Sequence, residues 1–149
     1  MPTIKWKIKP FKALSASELY SLLQLRSKVF VVEQNCVYQD VDAKDKKAIH
    51  IIGEIEQTVV AYARIFDQGD YFDETSIGRV VVDPEYRGKK LGHELMVQAI
   101  QAIKSHFHSH TITISAQHYL KDFYESHQFI QISEIYLEDG IPHIRMKRG

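Results

Sequence analysis

The 149 residues carry 44% hydrophobic side chains, 19 basic and 19 acidic groups, and one cysteine. A chain of this length builds one core without disulfide or metal staples, and its zero formal net charge leaves no whole-molecule attraction to nucleic acid or to an anionic membrane. Cys36 has no internal partner and no apolar run is long enough for a signal core or a membrane span, so one cytoplasmic domain over residues 1–149 is expected.

Ile4 to Lys9 alternates apolar and charged residues as a strand with one inward face would, and Pro10 ends it. Ser15 and Glu18 have capping-box spacing; beyond them Leu19, Leu22, Leu23, Arg26, Val29 and Phe30 recur at helical intervals, which predicts a helix from about Ala16 to Val32. From Glu33 to Lys47 the pattern stops. Glu33, Asp40, Asp42 and Asp45 fall in this polar stretch, which is either a solvated loop or part of a pocket for a cationic substrate. Cys36, with no neighbouring His or basic cluster, reads as a packed thiol.

Ile49 to Ile55 and Val59 to Phe66 are strand-like runs close enough to form an antiparallel hairpin. Asp67 to Glu74 is a polar turn, and the branched run Val80-Val81-Val82 marks the strand that follows. Asp83-Pro84 stops that strand, and Arg87-Gly88 leads into a helix patterned on Leu91, Leu95, Met96 and Ile100 that should run to about Lys104. Free N–H groups at such a helix start, with the aligned peptide dipoles, make a site for an anionic oxygen. Arg87, Lys89 and Lys90 place positive charge beside it, so the stretch suits a pyrophosphate-sized anion. It is neither a Walker A loop nor a dinucleotide fingerprint.

His106, His108 and His110 alternate past this helix without carboxylate or cysteine partners, so they read as a connector and no metal is expected. Thr111 to Ala116 is a fifth strand, and Leu120 to His127 a short helix. A strand reached through a helix should lie parallel to its predecessor, with both carboxyl ends on one side. Phe129 to Leu137 and His143 to Lys147 flank an Asp139-Gly140 turn and predict a closing hairpin. The order is strand, helix, three strands, helix, strand, helix, two strands: a mixed α/β sheet.

Two motifs in this order resemble the GNAT (GCN5-related N-acetyltransferase) superfamily. Arg87 and Gly92 match the ends of its Gln/Arg-x-x-Gly-x-Gly/Ala loop, with Lys90 where that pattern has its first glycine. The segment Ser115 to Phe129 resembles its second stretch, a strand followed by a short helix bearing Phe123-Tyr124-Glu125, with Gln128-Phe129 in place of Gly-Phe. The runs Leu22 to Arg26, Val29 to Cys36, Tyr38 to Asp40, Ala61 to Arg64 and Glu138 to Ile144 are similar to its ElaA branch.

The resemblance implies an acyl-CoA N-acyltransferase fold: α/β (α+β), a mixed, mostly antiparallel central sheet flanked by helices, with the fourth and fifth strands parallel and splayed into a V. It implies acetyl-coenzyme A as cosubstrate, its pantetheine arm against the backbone of Val80, Val81 and Val82 and its pyrophosphate on the amides of Arg87, Gly88, Lys89, Lys90, Leu91 and Gly92. Gln117, Leu120, Phe123 and Tyr124 complete that surface. Val82 N–H, or one beside it, faces the thioester oxygen. Tyr124, protonated at neutral pH, is the candidate donor to the leaving thiolate. For the base, Glu33, His143 and a water chain stay open, while Asp40 and Asp42 are candidates to attract a cationic acceptor, with Glu33 and His143 beside it.

The acceptor implied is a primary amine on a small molecule or peptide, in a ternary complex. The alternative is an acyl-coenzyme A binding or sensing module with little transfer, which the replaced glycines at Lys90 and Gln128 favour. No basic stripe with interleaved aromatics supports a nucleic-acid partner. A homodimer is compatible with the sequence.

Overall fold

The computed structural model describes residues 3–149. Its strands are β1 (Lys5–Pro10), β2 (Ile49–Ile55), β3 (Thr58–Phe66), β4 (Ser76–Val82), β5 (Ile112–Gln117), β6 (Ile130–Gln131), β7 (Tyr136–Glu138) and β8 (Ile141–Arg148). Its helices are α1 (Ala16–Arg26), α2 (Leu91–Phe107) and α3 (Lys121–Glu125). β1 to β4 form an antiparallel meander in sequence order; β5, β8 and β6 form a second sheet, with β7 also paired to β8.

Both faces of the meander are covered, which is why β2 and β3 read as nearly continuous apolar runs. Ile51, Ala61, Ala63, Ile65 and Ile77 pack with Leu95, Met96, Ala99 and Ile103 of α2. Their strand neighbours Ile52, Tyr62 and Val81 pack with Leu22, Leu25 and Val29 on the other side. Close approach bears on Gly53, where a Cβ would lie 2.7 Å from the Trp6 ring of β1.

Among the described residues the backbones of the two sheets join at one bridge. Thr75 and Ile112 make an isolated parallel bridge, and Thr113 N–H donates to the Thr75 carbonyl at 2.9 Å. Beyond it β5 bonds to β8 alone, so the expected parallel neighbours diverge toward their carboxyl ends. A bulge helps to turn β4 away. The β3–β4 register shifts between Tyr62 and Arg64, opposite Arg79, whose φ of +50° is a left-handed value inside a strand.

Local differences from the expected elements have local causes. The first helix continues as a π-helix over Ser27–Glu33, ending where Gln34 N–H reaches the Val29 carbonyl at 3.1 Å. Such widened turns recur at functional sites. Helix α2 runs on to Phe107, so His106 is helical. The predicted strand over Phe129 to Leu137 is two short strands, β6 and β7. Between them Ser133 Oγ accepts the Arg145 N–H at 2.8 Å, replacing a ladder bond and letting the backbone swing away. Among the described residues no helix is long and apolar enough to cross a membrane, and no group of three or more His, Cys, Asp or Glu could hold a metal ion.

Candidate active site

Where β4 and β5 separate, a cleft of about 830 Å³ opens between them. That is the scale of a small-molecule or cofactor site. Val80, Val81 and Val82 of β4 line it together with Ile114, Ser115 and Gln117 of β5. Past Thr75, β4 has no strand partner on this side, so backbone donors and acceptors on its free edge face the cleft. An extended polar chain could add to such an edge as a further strand.

The mouth is the turn from β4 into α2. Gly88 (φ +82°) and Lys90 (φ +62°) give it two left-handed positions, the second held by a lysine at the helix N-cap. No side chain caps α2, and its first backbone bond is donated by Glu94 to the Lys90 carbonyl. The amides ahead of Glu94 have no partner within the helix. Leu91, Gly92 and His93 line the cleft with Arg87, Gly88 and Lys90; Lys89 does not, its ammonium lying 5.4 Å from the centre of the Tyr86 ring.

Arg87 straps this mouth. Its Nε donates to the Val82 carbonyl at 3.2 Å, and its two terminal nitrogens donate to the Glu33 carboxylate at 2.8 and 2.7 Å. The bidentate bond from Arg87 holds the Glu33 carboxyl below the usual carboxylate range and raises the guanidinium in turn. A raised Glu33, as a base at neutral pH would need, is therefore absent from this arrangement, where the half-exposed carboxylate is held in an ion pair.

Tyr124 of α3 lies at the inner wall. It is 6% exposed and lines the cleft, and its hydroxyl makes no hydrogen bond among the described residues. Burial pushes the phenol well above its ordinary pKa, so it stays protonated. Phe123 packs edge-on against it at 5.1 Å and lies 4.8 Å from the His93 ring. A Cβ on Gly92 would meet Phe123 at 3.5 Å, ordinary contact, so this position takes either glycine or alanine. Leu120 and Gln117 also line the cleft, and Gln117 exchanges amide hydrogen bonds of 3.2 and 3.1 Å with Gln34.

Asp40 and Asp42, the candidates to attract a cationic acceptor, lie apart from this wall. Neither lines the cleft; with Asp45 they pair with Arg26, Arg64 and Arg79. Arg26 and Arg64 are at most 1% exposed, so the loop carboxylates neutralise buried cations. A signal was available: both arginines interrupt apolar patterns at core positions. His143 does line the cleft, together with Ser115, Glu138 and Asp139, and Tyr136 reaches the same corner. Nothing in the sequence marks Ser115, Tyr136 and Glu138 as a group, because their meeting depends on how β5 and β7 both pair with β8. Cys36 is packed at the cleft edge, its thiol 3.4 Å from the Asp139 carbonyl.

Two strands splayed from one bridge, with an uncapped helix start at the mouth, define the acyl-CoA N-acyltransferase class of fold. An acyl-CoA N-acyltransferase from Pseudomonas aeruginosa superposes with a TM-score of 0.94 at 40% identity, covering 99% of this chain and 100% of that one. The chain belongs to the acetyltransferase (GNAT) domain family, whose model matches residues 16–148. Within it the chain is ElaA-like. Protein ElaA of Escherichia coli is 45% identical over 147 residues, 97% of this chain and 96% of that protein, and its crystal structure gives a TM-score of 0.92 over 99% and 100% of the two chains. A UPF0039 protein of Schizosaccharomyces pombe is 41% identical over 99% of this chain and 98% of its own. The family supports an acyl-coenzyme A-dependent transferase.

Proposed function

We propose that the protein transfers an acetyl group from acetyl-coenzyme A to a primary amine by direct attack in a ternary complex. The observation that carries this is the presence, in one cleft, of unpartnered amides at the start of α2 and an unbonded, protonated Tyr124 hydroxyl. The amides suit a diphosphate, the free edge of β4 suits the pantetheine amides, and Val82 N–H or one beside it suits the thioester oxygen. Tyr124 supplies the proton that the departing thiolate needs. Lys90 and Gln128, the departures that would favour a module without transfer, keep φ at +62° and +66°, the left-handed values that glycine would adopt there. The proposal also keeps one domain, a cytoplasmic setting, no metal, and no nucleic-acid or membrane partner.

Thiol release measured across a panel of amines tests the reading directly. Amine-dependent release supports transfer; thermal stabilisation by acetyl-coenzyme A with no release from any amine would favour the binding module.

The strap makes a separate prediction. A bound diphosphate would compete with Glu33 for Arg87 and would be repelled by the Glu33 carboxylate. Arg87→Glu should therefore weaken coenzyme A about tenfold or more, whereas Glu33→Gln should tighten it severalfold. Titration calorimetry with free coenzyme A reads both, and a Glu33→Gln variant that binds more weakly would count against the competition.

A further inference from the structure

The corner of the cleft formed by β5 and the β7–β8 hairpin holds a polar set that donor binding does not use. Ser115 Oγ donates to Glu138 Oε1 at 3.1 Å and lies 2.5 Å from the Tyr136 hydroxyl. Serine has one hydroxyl hydrogen, and Glu138 receives it, so Tyr136 is the donor to Ser115. This chain of bonds pins Glu138 by Oε1 and leaves Oε2 toward His143.

The His143 tautomer follows from its other bond. Nδ1 lies 2.7 Å from the Ile141 carbonyl, which only accepts, so Nδ1 carries the hydrogen and Nε2 of the neutral ring is bare. Tyr136 stacks on the imidazole at 6.2 Å between ring centres and keeps its plane. His143 is 6% exposed, lines the cleft, and points Nε2 at Glu138 Oε2 across 3.4 Å without a hydrogen bond. Whenever the ring is neutral, two acceptors therefore face each other across this gap. A group with several N–H bonds and a positive charge satisfies both, and a primary ammonium is that group.

We infer that Ser115, Glu138 and His143 form the acceptor subsite, in which Glu138 binds the ammonium of a primary alkylamine and His143 Nε2 takes its proton. The assignment rests on the transferase reading above and moves the acceptor from the Asp40–Asp42 loop to the closing hairpin. The proton balance is complete. One ammonium proton passes to His143; the freed nitrogen lone pair forms the C–N bond as the thioester carbonyl opens. Collapse breaks the C–S bond, and the thiolate takes the Tyr124 proton. Tyr124 regains a proton from the newly acylated nitrogen, and His143 releases its own to water.

The test uses the whole protein with thiol detection and two variants. His143→Asn keeps a donor for the Ile141 carbonyl and removes Nε2; Glu138→Gln keeps an acceptor for Ser115 and removes the charge. Binding of free coenzyme A by each variant, read by thermal shift, shows that the fold and donor site persist. Acceptors are butylamine, a lysine-containing peptide, and trifluoroethylamine, which is mostly unprotonated at neutral pH; the arm with the lower KM distinguishes a free amine from a lysine side chain. Glu138→Gln should raise the KM of butylamine or the peptide about tenfold with the acetyl-coenzyme A KM unchanged. His143→Asn should lower kcat about a hundredfold for the protonated acceptors and much less for trifluoroethylamine, which needs no deprotonation. Equal loss with all three, or unchanged kinetics in a wild type that does turn over, would overturn the subsite while leaving the transferase reading intact. If no amine raises thiol release by the wild type, the transferase reading fails and the subsite falls with it.

Discussion

Replacing Tyr124 with Phe is expected to lower kcat about a hundredfold while acetyl-coenzyme A affinity and thermal stability stay near wild type. The stability half follows from the unpartnered hydroxyl: removing a group that bonds to nothing in the protein strands no donor or acceptor. The ring keeps its edge-on contacts with Phe123 at 5.1 Å and Phe129 at 6.0 Å. The activity half follows from the raised pKa. An acid must be protonated to act, and burial moves its deprotonation further above the ordinary tyrosine value of about 10, so the wild-type rate should show no alkaline fall due to Tyr124 below about pH 10. Steady-state kinetics with a thiol reporter, beside a thermal melt, checks both halves. Equal loss of turnover and donor affinity would remove the residue from proton donation and make it part of the donor surface.

What the sequence disclosed were features whose cause is local. The Ser15–Glu18 capping box forms as spaced, with Glu18 N–H on Ser15 Oγ at 3.0 Å and Ser15 N–H on Glu18 Oε1 at 2.8 Å. The strand, turn and helix from Val80 to Gly92 stand in order because the branched run, Pro84 and Gly88 act on their own neighbours. Lys90 and Gln128 obscure their motifs by residue type, while both keep a left-handed φ. The parts that stayed hidden depend on chain segments far apart in sequence. Arg87 is 54 positions from Glu33, and Ser115 is 23 from Glu138, so neither pair has a spacing that sequence periodicity could show. Asp40 and Asp42 read as candidates to attract a cationic acceptor because the three arginines that pair with this loop lie on α1, β3 and β4.

Those carboxylates carry the second large effect: Asp45→Asn should lower folding stability by about 3 kcal/mol. Its Oδ1 accepts from Arg26 at 2.7 Å and from Arg64 at 2.9 Å, and both guanidiniums are buried. Removing one carboxylate leaves three arginines with two, and the two guanidiniums that Asp45 served are buried. The loss falls at the low end for a broken buried pair because Asp40 still holds Arg26 and Asp42 still holds Arg64. Burial alone would raise the Asp45 pKa, but the bonds and charges of Arg26 and Arg64 outweigh it and hold the carboxyl below its ordinary value. A depressed folded-state pKa contributes stability that is complete above the unfolded value of about 4 and is lost as pH falls through the folded one. The gap between wild type and Asp45→Asn in urea melts should therefore be widest near neutrality and close on acidification; a gap independent of pH would show that the charge is not its source. The same cluster shapes the cleft, since Arg79 sits at the β4 bulge with Nε 2.8 Å from Asp40 Oδ1. Its carboxylates thus sit where they bear on how β4 leaves β5. Asp45→Asn held well below its melting temperature should then keep the KM for the amine acceptor within about twofold of wild type, whereas Glu138→Gln should not.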